Sequence, residues 1–536
     1  MKRHQTRNPH VDCVVIGSGV AGALVAKELS KSGLSVHVLE AGGAIERSQA
    51  VKQYENAWDR NLTSPFPIWP RTSYPKDEAP EQYYGVPQKD VYYPSFLKGV
   101  GGTTWHWTGI TPRFLPSDFE IQSTYGVGVN WPIHYKDIEL YYVKAERALG
   151  VSGNSGNDHG SPRSADYPMP AIPMPYSDQL IAERLSKYGV EVDALPAARN
   201  SQSYAGRPPC CGHGTCSPIC PIGASYSADV DVKRALHYGA KLTTHATVYG
   251  FDLNDQREIS SAYFKRPDGS THHISADYFV IACNSIETPR LMLLAAQEKC
   301  PNGLGNHSGM VGRNLMDHVL FSCEYELNTP LYMGRGPQSV STLLMGRDGS
   351  FRSEYAAAKM FLGNDRNIAK EAMDLLDDSK NWLKMMQHLR HSVTHKGMIG
   401  GEIEQLPKPS NRLTLSHTRL DKYGLALPDI QLSLSHYTKK GIEHWQSITE
   451  NLIQKIGGSS VLVSISNTSH HPCGTTCMGN DRKTSVVDAQ CQSHDHRNLY
   501  IAGSSVFPTI GTANPTLTIA ALALRMAEHL VKQMKK

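Results

Sequence analysis

Several things are missing from this chain, and each absence narrows what it can be. It carries no strong charge of either sign: 54 basic and 50 acidic residues leave a net +4 over 536 residues. That balance gives no electrostatic reason to expect nucleic acid as a partner. No stretch approaches the roughly 18 consecutive apolar residues of a membrane-spanning helix. The basic start, "MKRHQTRNPH", lacks the apolar core of a signal peptide, because "CVVIG" gives way at once to glycines. A twin-arginine pair is missing as well, and no export signal is read. Cysteine is sparse, with 11 in the whole chain, far too thin for a secreted disulfide scaffold. What remains is an ordinary globular composition, 40% hydrophobic and 19% charged, long enough for about two to four domains.

The clearest positive signal opens the chain. Residues 12–43 read "DCVVIGSGVAGALVAKELSKSGLSVHVLEAGG". Cys13 to Ile16 form a short apolar strand, and Gly17, Gly19 and Gly22 stand in G-x-G-x-x-G spacing. A helix is expected to about Lys31, stopped by Gly33, before "SVHVLE" alternates as a second strand ending in Glu40. The first glycine permits the tight turn, the second lets backbone approach a pyrophosphate, and the third lets helix and strand pack closely. The pyrophosphate then meets the helix N-terminus, and Glu40 can hold ribose hydroxyls, which suits NAD or FAD rather than NADP. Near the other end, "NLYIAGSSVFPTIGTANPTLTIAALALRMAEHLV" reads as strand, glycine-containing loop and long apolar-faced helix. A chain that returns to its nucleotide fold after some five hundred residues has the organisation of a flavoprotein.

Four of the cysteines fall in one short stretch, "PPCCGHGTCSPICPIGA", as Cys210, Cys211, Cys216 and Cys220. Adjacent cysteines rarely pair with each other, and structural zinc usually uses two separated pairs. "CSPICP" resembles the closing C-x3-C-P of bacterial ferredoxins, where thiolates wrap iron and sulfide. Disulfides, zinc and an iron–sulfur cluster all stay open at this level, with the cluster favoured.

The N-terminal fingerprint and five further ordered segments together resemble the glucose-methanol-choline (GMC) oxidoreductase family almost end to end. Besides the N-terminal fingerprint, "KGVGGTTWHWTG" resembles its flavin loop, and "NSIETPRLML" and "VGRNLMDH" match two further segments. "HPCGTTCMG" and "GTANPTLTIAALALR" resemble the segments that supply the catalytic pair. The resemblance is greatest to the large, catalytic subunits of bacterial FAD-dependent fructose, glucose and sorbitol dehydrogenase complexes. It implies an α/β FAD-binding Rossmann-like domain assembled from discontinuous segments, residues 1–325 and 466–536. An α+β substrate domain with a mainly antiparallel sheet would fill residues 326–465, with "EIEQLPKPSNRLTLS" as one strand and turn.

The resemblance also implies roles for individual residues. FAD would rest on Gly17, Gly19, Gly22, Glu40, Gly101, Gly102, Thr103, His106, Gly503 and Asn514. His106 would either carry the flavin covalently or pack beside it between Trp105 and Trp107. His471 would be the base that takes the hydroxyl proton as hydride leaves for the flavin, a role suited to histidine. Its neighbour His470 is one register away, but the spacing to Gly474 and Thr475 favours His471. Asn514 would orient the substrate oxygen. Cys210, Cys216 and Cys220 would ligate an iron–sulfur cluster of the 3Fe-4S type, with Cys211 spare; a 4Fe-4S cubane using all four is the alternative. Implied partners are a small subunit carrying the export signal and a multihaem cytochrome c subunit. The enzyme would then work at the periplasmic face of the inner membrane, and stay in the cytoplasm if expressed alone. The expected substrate is a sugar or polyol. Competing readings are an oxygen-using alcohol oxidase whose cysteine loop is structural, and a non-catalytic electron-transfer flavoprotein.

Overall fold

Two sheets meet around the chain's chemistry, and a computed structural model describes them over residues 10–57, 65–66, 92, 96–364, 372, 375 and 382–536. The basic segment 1–9 lies outside the described residues. The first sheet has seven strands. Its core places Lys241–Thr243, Val36–Leu39, His10–Ile16 and Thr271–Ile281 side by side, all parallel. Val11 and Cys13 to Ile16 are all buried, the continuous apolar run expected of a parallel strand covered on both faces. Ile259–Lys265 and Thr247–Leu253 extend the sheet antiparallel. Leu499–Ile501 joins Thr271–Ile281 in parallel, so the C-terminal segment enters the nucleotide fold. The helices Val20–Lys31 and Thr516–Met534 pack on it.

The second sheet is antiparallel throughout, in the order Ser459–Ser466, Val319–Glu326, Lys396–Ile403, Ala358–Gly363, Ser341–Leu343, Val192–Ala194. "VLFSCEYE" alternates strictly between buried and half-buried positions, the period-two pattern of a sheet with one covered face. Helix His436–Lys455 covers that face with Ile442, Trp445, Leu452 and Ile453. Two features depart from the expected layout. The sheet recruits Val192–Ala194 and starts its central strand at Val319, before the anticipated boundary. The "EIEQLPKPSNRLTLS" segment is also split. Glu402 and Ile403 end one strand of this sheet, whereas Arg412–Leu420 pairs with Ala426–Gln431 in a separate hairpin. Pro407 and Pro409 lie between them and cannot donate to a ladder, so the chain leaves the sheet there.

Candidate active site

The turn after the first strand shows three glycines doing three different things. Gly17 has φ +98°, and a Cβ there would come within 2.5 Å of the Ala282 carbonyl oxygen. A Cβ on Gly22 would overlap the Gly17 carbonyl. A Cβ on Gly19 would meet nothing within 4 Å: it faces open space, where a pyrophosphate would approach backbone. The Glu40 carboxylate holds this loop, accepting from Ser18 N (3.0 Å), Ser18 Oγ (2.6 Å) and Gly42 N (2.8 Å). Burial raises its pKa and these hydrogen bonds oppose the rise. An open cleft starts here, lined by Gly17, Gly19, Glu40, Gly102, Thr103, Gly503 and, from the second sheet's side, His471. The donors and the cradle at Gly19 fit a dinucleotide such as FAD.

The glycine-rich loop is a short 3-10 turn, Gly102–Trp105, entered through Gly101 in the left-handed region at φ +96°. His106 follows it, half-buried, with its buried Nε2 lacking a partner among the described residues. Burial first, and His470 second, push its imidazole down to about 4. Its ring meets Phe66 edge-on, with centroids 5.7 Å apart, and it is not part of the cleft's lining.

At the far end of the cleft, segments remote in sequence form one hydrogen-bonded chain. His318 Nε2 lies 2.9 Å from the Gly511 carbonyl, and His318 Nδ1 lies 3.0 Å from His471 Nδ1. His471 Nε2 lies 3.1 Å from Asn514 Nδ2. Lys359 Nζ donates to Asn514 Oδ1 and, at 2.7 Å, to Glu402 Oε2. Hydrogen positions follow from these partners. The Gly511 carbonyl can only accept, so His318 Nε2 bears its proton. Burial lowers the pKa of His318, which keeps the ring neutral and leaves Nδ1 bare. His471 Nδ1 must then be the donor, and its Nε2 is unprotonated, with its lone pair toward the Asn514 N–H. Burial pushes His471 down to about 3, with Glu402 only partly opposing.

Behind His471, the Asp317 carboxylate accepts from His471 N (2.9 Å), Ser469 N (3.3 Å), Tyr92 Oη (2.7 Å) and Thr468 Oγ1 (2.7 Å). Burial still lifts it to about 6. His318, Glu402 and His471 bring ligand-type atoms within 4.8 Å of one another, but the Lys359 ammonium already fills the cation position at Glu402. Helix Thr516–Met534 starts just after Asn514 and Pro515, which sets the amide at the rim of the site. Sequence reasoning quoted "VGRNLMDH" without giving Asp317 or His318 a role, and it missed Lys359 and Glu402. A lysine inside the apolar strand "AKMFLG" was the signal available, since lysine is almost never fully buried unless paired.

The cysteine loop lies against the flavin loop. Ser217 Oγ donates to the His106 carbonyl at 3.2 Å, Arg47 Nη1 donates to the Cys220 carbonyl at 2.7 Å, and Arg47 stacks on Trp105. All eleven cysteines are free thiols. Three of the four loop sulfurs accept an N–H: Cys210 from Gly212 N (3.4 Å), Cys216 from Arg199 Nη1 (3.3 Å) and Cys220 from Ser225 N (3.5 Å). Cys211 is exposed. Burial raises the Cys216 thiol, and Arg199 counters it. Among the described residues no three ligand atoms of this loop lie within 4.8 Å of one another, the closeness a single tetrahedral ion at ~2.3 Å from each sulfur would need. A cluster spreads its thiolates over different irons, and N–H donors to the sulfurs are the contacts it uses. The donor set fits an iron–sulfur cluster better than one zinc ion.

A nucleotide cleft ending in a directed histidine, beside an antiparallel sheet, is the layout of a flavin-dependent oxidoreductase. Family models described as GMC oxidoreductase match residues 175–320 and 407–523, and an NAD(P)-binding Rossmann-like model matches 15–54. The chain is 37% identical to the fructose dehydrogenase large subunit of Gluconobacter japonicus, over 98% of both chains. It is 28% identical to paromamine 6'-oxidase of Streptomyces fradiae, over 96% of this chain and 90% of that one. It is 25% identical to the gluconate 2-dehydrogenase flavoprotein of Pantoea cypripedii, over 98% and 94%. The fold also matches Aspergillus oryzae formate oxidase, with a TM-score of 0.68 at 13% identity, covering 99% of each chain. The chain belongs to the GMC oxidoreductase family. It is an FAD-dependent oxidoreductase acting on CH–OH groups.

Proposed function

We propose that the chain is the catalytic flavoprotein subunit of a sugar or polyol dehydrogenase, with His471 as the base and Asn514 as its partner. The observation that carries this is the bare Nε2 of His471, fixed by the Gly511–His318 hydrogen bonds and facing Asn514. FAD, held by Gly17, Gly19, Gly22, Glu40, Gly101, Gly102, Thr103 and Gly503, supplies the hydride acceptor when bound. A substrate hydroxyl entering here donates to His471 Nε2, and the Asn514 amide turns its N–H toward the same oxygen. Burial holds the imidazole's pKa down to about 3, so at neutral pH Nε2 is unprotonated and can accept. Its weak basicity is offset as the proton arrives, because the Glu402 carboxylate, held down to about 2 by Lys359 against its burial, lies 4.0 Å from Nδ1. The orphaned Nε2 of His106 supports a covalent flavin link at that atom.

Cys210, Cys216 and Cys220 would hold an iron–sulfur cluster, of the 3Fe-4S type with Cys211 free, whose chemistry is one-electron transfer. The contact between Ser217 and the His106 carbonyl supports an exit for electrons next to the flavin. The similarity to a large subunit supports partner subunits: a small one carrying the export signal and a multihaem cytochrome c. The working place would be the periplasmic face of the inner membrane. No described helix is long and apolar enough to cross a membrane. A second reading, an oxidase using dioxygen with a structural cysteine loop, draws on the similarity to paromamine 6'-oxidase.

Anaerobic mixing with fructose, glucose, sorbitol and gluconate, followed by flavin absorbance, tests the substrate class. Bleaching by one of them, with slow oxygen uptake and with iron and acid-labile sulfide present, is expected. Rapid peroxide formation without iron would favour the oxidase. No bleaching by any sugar or polyol would leave an electron-transfer flavoprotein.

A further inference from the structure

Lys359 and Glu402 face each other directly across two neighbouring strands of the second sheet. Both are buried, Lys359 to 1% exposure and Glu402 to 8%, and neither lines the flavin cleft. A buried ion pair is weak evidence for stability, since the desolvation of both ions cancels much of their attraction. Its presence beside the apolar cluster that fills this sheet's covered face calls for another explanation. The ammonium has only donors. One goes to Glu402 Oε2 and another to Asn514 Oδ1.

We propose that Lys359 is a positioning residue. By donating to Asn514 Oδ1 it fixes which end of the amide faces His471, and by holding Glu402 in place it sets the charge that meets the imidazole as it takes a proton. The proposal rests on His471 and Asn514 being the reacting pair.

The geometry leaves little freedom. An asparagine amide has nearly the same shape either way round, and only its partners choose between the two orientations. At His471 the partner is a lone pair, which needs an N–H opposite. With a lysine against Oδ1, the amide has one satisfied orientation. Rotated by half a turn, it would set an N–H against an ammonium and an oxygen against a lone pair, breaking two buried hydrogen bonds and leaving both partners unsatisfied. The chain Lys359, Asn514, His471, His318, Gly511 is therefore directed from a donor-only end to an acceptor-only end. The second half of the role concerns charge. The groups facing the His471 ring or its backbone are His318, Glu402, Lys359, His470 and Asp317. Glu402 is the acid among them that favours a charged ring, while Lys359 disfavours it. Removing one or the other should therefore move the base in opposite directions.

The test uses the full-length holoprotein and stopped-flow flavin reduction, measured from acid to neutral pH with the sugar or polyol that bleaches the wild type. Lys359→Met should keep its flavin but lose reduction rate at saturating substrate by on the order of tenfold or more, less than the roughly 10²–10³ of a donor that touches the reacting oxygen. Its acidic limb should move to higher pH, because the ammonium that disfavours a charged His471 ring is gone. Lys359→Arg, which keeps the donors, should recover most of the rate. Lys359→Met/Glu402→Gln removes both charges and avoids leaving a buried carboxylate unpaired. It should keep the rate loss, since the amide is free to turn, without the upward shift of the limb.

A folded, flavin-loaded Lys359→Met with wild-type rate and pH profile would overturn the proposal. So would a double variant whose limb moves as far as the single one's. His471→Ala is measured alongside. If it reduces flavin normally, the assignment of the base fails and Lys359 falls with it. If it stops reduction while the Lys359 variants behave as wild type, only the positioning role fails.

Discussion

The histidine network and the cysteine loop are both polar centres beside the same cleft, yet they are built in opposite ways. The network gathers Gly511, His318, His471, Asn514, Lys359 and Glu402 from segments that span 196 positions of the chain (318 to 514 for the His318–Asn514 limbs) and closes them into one directed chain of hydrogen bonds. The loop is eleven consecutive residues in which the sulfurs of Cys210, Cys216 and Cys220 each accept a single N–H. The first is satisfied by the protein alone. The second has one thiol, Cys216, raised by burial, and only weak sulfur hydrogen bonds around it. A fully satisfied network is suited to holding a proton acceptor in one state, whereas an under-satisfied donor set is suited to taking up something from outside.

Three variants would break that comparison or sharpen it. His471→Ala should have the largest effect, a loss of about 10²–10⁴ in flavin reduction rate, the usual range for a general base, with iron content unchanged; a matching loss of iron would mean that the two centres are not separate. Cys216→Ser should do the reverse. Iron and acid-labile sulfide should vanish and delivery to one-electron acceptors fail, while anaerobic bleaching by substrate persists. Cys211→Ser should retain the iron, and its loss there would point to a four-thiolate cluster.

Asp317→Asn should give the smallest change, read in stability rather than rate. The Asp317 pKa rises from its ordinary 3.8 to about 6 in the fold, so its favourable contribution is complete below pH 3.8 and disappears as pH rises through about 6. Relative to wild type, the asparagine variant should therefore gain up to roughly 3 kcal/mol between acid and pH 8. Thermal melting of both proteins at pH 4 and pH 8 checks this, and a constant difference between them would refute the assignment.

The nucleotide end of the molecule was legible in sequence because its determinants are local. Gly17, Gly22 and Glu40 act on neighbours within one strand–helix–strand unit, and the spacing alone names them. The helix after Asn514 could be placed in the same way, from Pro515 and the apolar period that follows. Lys359 and Glu402 could not be found like this. Their meaning depends on the register between two strands and on a sheet meeting a loop from the far end of the chain, and neither is written in local spacing. The division of the "EIEQLPKPSNRLTLS" segment was missed for a related reason. Both halves alternate as strands should, and only Pro407 and Pro409 mark where one sheet is left for another. His318 stood within a quoted motif, but without the Gly511 carbonyl nothing indicated which of its nitrogens carries the proton.

The single hydrogen bond from Ser217 to the His106 carbonyl has a bearing on how the protein is assembled. It couples the loop that borders the nucleotide to the loop that carries the thiols, so order gained in one is passed to the other. Filling either site would lower the entropic cost of filling its neighbour, and the half-filled protein would be the floppier, more protease-sensitive species.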